Sequence, residues 1–328
     1  MLNYEIEQKR LLEFIEKEIK NIVPQKTPEQ LYAAYSYVMS GGGKRIRPLL
    51  TMLSAASLNG NPDSAIMAGL AIEILHNFTL VHDDIMDNSS IRRGRQTVHL
   101  KWNEETAILT GDMMVGWAYS TLLSTNNEHI DELIKELTTA LIEVCEGQQL
   151  DMEFNQRNDI TLNDYIKMIE LKTSALLRCC TRMGAIIGNC NEIQYKNLDE
   201  FALNFGIAFQ IQDDILDMTA NQLKFGKKIG QDIIEGKKSF TILKAAELAN
   251  QDEDKLLIQK YMASKNGLSE KYIPEFKKLF DKLNIFNIGQ NITDIYINRA
   301  LNYIKDLPNK DYKNMLKVFI NSLNKRVY

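Results

Sequence analysis

An all-α fold is predicted from three observations. Apolar residues recur at three- and four-residue intervals through long stretches, as at Leu133, Leu137, Leu141 and Val144, which is the period of a helix face. Only six prolines occur in 328 residues, so few helices are interrupted from within. No set of short alternating runs bounded by Asn-Gly or Asp-Gly turns offers a sheet. Turn signals fall in order at Gly41-Gly42-Gly43, at Gly60-Asn61-Pro62, and at residues 124–127, 158–161, 189–191 and 226–236. They divide the chain into about ten to thirteen helices. Segments 64–87, 103–123 and 198–218 are apolar on more than one side, which puts them at the centre of a bundle. Neither a linker nor a composition shift separates two halves, so residues 1–328 read as a single domain.

Composition narrows the function classes. A chain with 45% hydrophobic and 25% charged residues is a soluble globular protein with a sizeable core. The net charge of −4 is small and dispersed, so no basic face suits nucleic acid. Cys145, Cys179, Cys180 and Cys190 lack both metal-ligand spacing and a disulfide framework and read as reduced core residues. The N-terminus, MLNYEIEQKR, is acidic and polar where a signal peptide is basic and then apolar. No run approaches the roughly 18 apolar residues of a spanning helix. The expectation is a cytoplasmic protein with no membrane span.

The chemistry-bearing features are two Asp-Asp-x-x-Asp clusters, Asp83/Asp84/Asp87 and Asp213/Asp214/Asp217, each at the C-terminal end of a central apolar segment. Chance supplies only about 0.07 such patterns in a chain of this length and aspartate content. On a helix, residues i and i+4 project from one face about 5–6 Å apart, so Asp83 and Asp87 point the same way with Asp84 beside them. Crowded carboxylates against apolar surface repel one another and lose hydration. A hard cation resolves both problems. Mg²⁺ takes one or two protein carboxylates and completes its shell with water and phosphate oxygens, so the clusters suggest a diphosphate clamped between two helices whose carboxylate ends face each other.

A metal-bound diphosphate needs permanent cations. Gly41 to Pro48 places a glycine-rich backbone before Lys44, Arg45 and Arg47, a plausible anion cradle without the spacing of a nucleotide P-loop. Arg92-Arg93-Gly94-Arg95 begins five residues after Asp87. Gln210 lies three and four residues before Asp213 and Asp214 and shares their face; His76 lies two turns before Asp83.

Taken together, GGGKRIRP at 41–48, LVHDDIMD with RRG at 80–94, GQ at 147–148, KT at 172–173, FQIQDDILD at 209–217, and GKKIGQD with GKK at 226–238 resemble the trans-isoprenyl diphosphate synthases of the polyprenyl synthetase family. The motifs keep the family's order across residues 40–240. The resemblance implies an isoprenoid synthase-like bundle around a central cavity, a homodimer, and magnesium-dependent condensation of isopentenyl diphosphate with a dimethylallyl, geranyl or farnesyl diphosphate. Lys44, Arg47, His76 and Arg93 would hold the isopentenyl diphosphate. Arg92, Lys172, Thr173, Gln210, Lys227 and Lys237 would hold the allylic diphosphate, and the Asp clusters magnesium, three ions with bound diphosphate. The released diphosphate would take the final proton, in keeping with the absence of an obvious His or Glu base.

In this family an aromatic four or five residues before the first cluster resembles a floor for the growing product. Phe78 and Thr79 occupy those places, and the first cluster lacks a two-residue insertion found in one short-chain subgroup. Products of fifteen to twenty carbons are therefore expected, geranylgeranyl diphosphate above others. A class I terpene cyclase shares the first cluster, but its second metal motif ends differently from DDILDMTAN and it needs no isopentenyl site. Membrane prenyltransferases require spanning helices. A non-catalytic subunit of a heteromeric synthase would lose a cluster, and here both are kept.

Overall fold

The structure, a computed structural model, describes residues 3–219 and 229–324. Lys227, one of the expected diphosphate ligands, lies outside the described residues. The described residues form sixteen α-helices, and the one sheet among them is an antiparallel hairpin of two two-residue strands. Fourteen of the helices have eight residues or more, and two of these run into each other through a π-helical turn. The all-α expectation is met.

Contacts divide the chain into two compact units, each discontinuous in sequence: residues 1–141, 176–199 and 305–316 form one, and the remainder the other. The first begins with α1 (Tyr4–Ile22), α2 (Glu29–Met39), α3 (Ile46–Ser57) and α4 (Ile66–Met86). Asn3 caps α1 through the Ile6 N–H, and Asn61 starts a 3-10 turn, Pro62–Ala65, that leads into α4, both with the side-chain oxygen that suits a helix start. After the hairpin of Ile91–Arg92 and Arg95–Gln96 come α5 (Val98–Lys101) and α6 (Glu104–Leu122), the latter capped by Asn103. Residues 130–141 of α7 (Ile130–Phe154) complete the long first segment.

In α4, Leu70, Ile72, Ile74 and Leu75 are fully buried, each contributing about 1.5–3 kcal/mol by leaving water. A Cβ on Gly69 would lie 2.8 Å from Pro48 Cα. Only glycine lets α3 approach α4 this closely, and the approach brings the residues around Arg47 against α4. By length and hydropathy the stretch Pro62–Met86 could cross a membrane, but 67% of its most apolar window is buried inside the protein. Glu73, Asn77 and Asp84 are buried along it, so it is a core helix with a polar stripe. Burial of α6 is one-sided, contrary to expectation. Thr106, Ala107, Thr110, Met114 and Ala118 face inward, while Ile108, Leu109 and Leu123 are exposed.

The second unit contains residues 142–154 of α7, α8 (Leu162–Ile169) and the π-turn Glu170–Ser174 that runs into α9 (Ala175–Ile187). It also holds residues 200–219 of α10 (Glu192–Thr219), α11 (Gln231–Glu235), α12 (Phe240–Leu248), α13 (Asp252–Met262), α14 (Ile273–Lys282) and α15 (Ile285–Tyr303). The last helix, α16 (Lys310–Asn324), supplies residues to both units. One core of this unit gathers Phe154, Tyr165, Met168, Ile169, Ile211, Ile215 and Phe240; a second gathers Ile233, Ile258, Tyr261, Phe276 and Phe280. The cysteines are all free thiols. Cys179 and Cys180 are core residues as expected, but Cys190 is half-buried and Cys145 exposed, because α7 turns the position after buried Val144 outward.

Candidate active site

The polar stripe of α4 organises the first unit. Glu73, Asn77 and Asp84 recur at four and seven residues, so they share one face, and each meets an arginine from elsewhere. Arg45 Nη1 donates to Glu73 Oε1 at 3.1 Å, Arg93 Nη1 to Asn77 Oδ1 at 3.3 Å, and Arg92 Nε to Asp84 Oδ1 at 2.9 Å. Burial pushes the Asp84 carboxyl above its ordinary value, against the Arg92 hydrogen bond that lowers it. Arg93 also donates to Gly42 O at 2.6 Å, tying the glycine-rich loop to the arginine hairpin. Two sequence motifs are thereby joined on α4.

Within the first cluster the three aspartates differ. Asp84 is 4% exposed, Asp83 is half-buried, and Asp87, at the C-cap, is exposed. Asp83 and Asp87 lie one turn apart on the outer side, while Asp84 anchors Arg92. That is a donor set suited to Mg²⁺, which needs few protein carboxylates and keeps open positions. Among the described residues no group of three His, Cys, Asp or Glu side chains is placed to hold a metal ion by itself.

The basic loop separates in the same way. Arg45, in the left-handed region at φ 49°, is 3% exposed and bonds to Glu16, Glu73 and Met39 O. It is a structural arginine. Arg47, two residues on, is half-buried, and its Nε is buried with no hydrogen-bond partner. Burial lowers its pKa, with Glu73 opposing. His76 is held well below its ordinary pKa by burial and then by Arg47, Arg93 and Arg92, so it is neutral at pH 7. Lys44 is exposed. Phe78 packs edge-on against His82 with centroids 4.9 Å apart, and His82 Nε2 lies 3.2 Å from Ile108 O of α6. Thr79 donates to His76 O at 2.8 Å.

In the second unit Lys172 and Thr173 sit in the π-turn, a helix irregularity that re-aims side chains. Lys172 Nζ donates to Asp151 Oδ2 at 2.5 Å, and Lys237 Nζ to the same oxygen at 3.2 Å. Burial would raise the Asp151 carboxyl, but the two lysines outweigh it and hold it below its ordinary value. Gly147 permits this contact. A Cβ there would stand 2.3 Å from the Lys172 backbone nitrogen.

Thr173 donates to Gln210 Oε1 at 2.8 Å, and Gln210 Nε2 to Asp214 Oδ1 at 3.0 Å. Asp214 Oδ2 accepts from Tyr165 Oη at 2.5 Å and Phe240 N at 2.8 Å. Burial pushes Asp214 up to about 6 against these donors. Asp217 accepts from Gln231 N and Asp232 N at 3.1 and 3.3 Å, holding the start of α11. The second cluster thus repeats the first: its middle aspartate is 5% exposed and hydrogen-bonded inward, and Asp213 is half-buried.

Sequence reasoning named Lys172, Lys237, Arg93, Asp214 and the basic run with Arg45, but missed the partners these residues have in Asp151, Asn77, Tyr165 and Glu73. Asp151 carried a signal, since it lies four residues after Gly147 of the GQ motif and shares its helix face. Glu73 and Asn77 lie on the face of Asp84 and were open to the same argument. Tyr165 is indistinguishable in the sequence from a packed core aromatic.

The Polyprenyl synthetase family model matches residues 28–277. The chain belongs to the polyprenyl synthetase family. Similar relatives within it include a short chain isoprenyl diphosphate synthase of Methanothermobacter thermautotrophicus, 33% identical with 93% of each chain covered. A geranylgeranyl diphosphate synthase of Sulfolobus acidocaldarius is 38% identical, covering 93% of this chain and 87% of that one. Among solved structures, the geranylgeranyl pyrophosphate synthetase of Pyrococcus horikoshii matches with a TM-score of 0.90 at 34% identity, over 98% of this chain and 99% of that one. Membership makes the protein a trans-prenyltransferase of prenyl diphosphates with a divalent-metal requirement.

Proposed function

We propose that the protein condenses isopentenyl diphosphate with allylic diphosphates to an all-trans product of fifteen to twenty carbons, geranylgeranyl diphosphate above others. The observation that carries this reading is Arg47. A buried guanidinium nitrogen without an acceptor, near neutral His76 and the Arg93 loop contact, calls for an anionic ligand. Lys44, Arg47, His76 and Arg93 then receive the isopentenyl diphosphate. Arg92, Lys172, Thr173, Gln210 and Lys237 serve the allylic diphosphate. The geranylgeranyl diphosphate synthases among its relatives support the chain length, as does Phe78, a half-buried aromatic five residues before Asp83.

Asp83, Asp87 and Asp213 would carry magnesium, three ions in all, with Asp84 and Asp214 holding their neighbours in place and Asp217 capping α11. Bound magnesium supplies Lewis-acid stabilisation of the departing diphosphate. The chain's lysines and arginines add fixed positive charge at the same leaving group. Apolar side chains exclude water from the developing cation, and the departing diphosphate takes the proton. A homodimer in the cytoplasm completes the proposal. Exposed Ile108 and Leu109 of α6, with Leu123 at its C-cap, offer apolar surface that supports the pairing.

The test offers the purified chain labelled isopentenyl diphosphate with five-, ten- and fifteen-carbon primers, with magnesium or with chelator, and sizes the products. Magnesium-dependent C20 product is expected, with a loss of about 10²-fold or more in Asp83→Ala. No incorporation, or a cyclic hydrocarbon from geranylgeranyl diphosphate alone, would end the proposal.

A further inference from the structure

Tyr165 has no part in the reading above, yet its hydroxyl ends on one of the aspartate clusters. Its ring is 1% exposed in the core of Phe154, Met168, Ile211 and Phe240. A buried phenol needs a partner, and this one donates to Asp214 Oδ2 at 2.5 Å, the oxygen that also takes the Phe240 N–H. The other oxygen takes Gln210 Nε2 at 3.0 Å.

A carboxylate only accepts hydrogen bonds, whereas an amide can present either end. Asp214 therefore decides which way Gln210 faces, with its NH₂ toward the carboxylate and its carbonyl toward Thr173. That carbonyl takes the Thr173 hydroxyl proton at 2.8 Å. The donated protons converge on Asp214, from Tyr165 on one side and from Thr173 through Gln210 on the other. Thr173 is left with lone pairs to offer, and Gln210 with one N–H and one lone pair.

We infer that Tyr165 is a positioning residue for prenyl transfer: by holding the Asp214 carboxylate it fixes the Gln210 amide, and through it the direction of the Thr173 hydroxyl. The inference rests on the proposed placement of Thr173 and Gln210 at the allylic substrate. Four elements contribute to the chain, α8, the π-turn, α10 and the start of α12, so the loss of one hydroxyl in the core is transmitted to the π-turn.

Tyr165→Phe removes the hydroxyl and keeps the ring. The expected result is a fall in kcat of about tenfold, with KM for isopentenyl diphosphate within twofold of the parent and an unchanged far-ultraviolet spectrum. Thr173→Val should lower kcat by a similar factor, and the double variant should be no worse than the lower single one, because both changes break the same chain. A general loosening of the core would instead give multiplied losses. Parental kcat in either single variant, or multiplied losses in the double, would overturn the inference while leaving the reaction intact. Absence of turnover by the parent protein would strike the reaction itself and the inference with it. Should Tyr165→Phe fail to fold, Asp214→Asn carries the same cycle, since an amide at 214 lets Gln210 reverse.

Discussion

Replacing Gly147 with alanine would drive a methyl group into backbone. The added Cβ would stand 2.3 Å from Lys172 N, 2.7 Å from Lys172 Cα and 2.8 Å from Leu171 C. Carbon and nitrogen settle at about 3.5 Å, so the π-turn must retreat by roughly 1 Å, and no flexible side chain is available to give way. Overpacking of this kind costs about 1–3 kcal/mol. The larger effect is on chemistry. Lys172 and Thr173 ride on the displaced turn, and a misplacement of about 1 Å at a reacting centre costs on the order of 10²-fold. Thermal unfolding and steady-state kinetics on Gly147→Ala separate the two effects: a Tm lower by several degrees, about 2–4 °C per kcal/mol, and kcat down by about two orders of magnitude. A variant with parental Tm and kcat would refute the close approach of α7 to the π-turn.

The two neighbouring arginines should behave oppositely. Arg45→Ala leaves Glu73 buried without its counter-charge and should cost about 3–5 kcal/mol in unfolding experiments. Arg47→Ala should leave Tm unchanged and raise KM for isopentenyl diphosphate about tenfold or more. Phe78→Ala should shift products beyond twenty carbons on chromatography; an unchanged product would remove Phe78 as the floor. Asp199 accepts from Arg178 at 2.8 and 3.0 Å and from Arg182 at 2.6 Å. Burial works against its ionisation, but these arginines hold its carboxyl below the ordinary value. The stability it contributes is fully present above the unfolded-state pKa of about 3.9 and is lost as pH falls from there through the folded value. Asp199→Asn should lower stability at pH 7 and flatten the acid limb of a denaturation profile below pH 4, whereas an unchanged acid limb would count against the pairing.

Helical period and turn signals made the fold readable: two of the turn segments contain Asn61 and Thr161, which cap the helical segments that follow. The clusters were readable because two identical patterns at helix ends are rare. Their internal division was not. A helical wheel shows that Asp84 is rotated away from Asp83 and Asp87, but not that an arginine eight residues later awaits it. Arg45 and Arg47 differ only by two places in a basic run, and the left-handed backbone at Arg45 that buries the first has no mark in the sequence. The π-turn likewise leaves no trace in Glu170–Ser174, and the close approach of Gly147 to it comes from a distant part of the chain. Lys172 and Lys237 were both named, yet their shared partner depends on contacts across 21 and 86 residues.

That shared partner bears on turnover. With Asp151 between them, the two ammonium groups share a counter-ion, and on the proposed allylic site an arriving diphosphate would take over lysines already facing a common point. The exchange would run in reverse once the bond is made. Inorganic diphosphate would then compete with a carboxylate attached to the protein, whose local concentration no dilution can lower. A site built of lysines alone would grip its by-product most tightly when the reaction is over. On the proposed placement Asp151 would give the enzyme an internal rival for those cations, and with it a built-in limit on product inhibition.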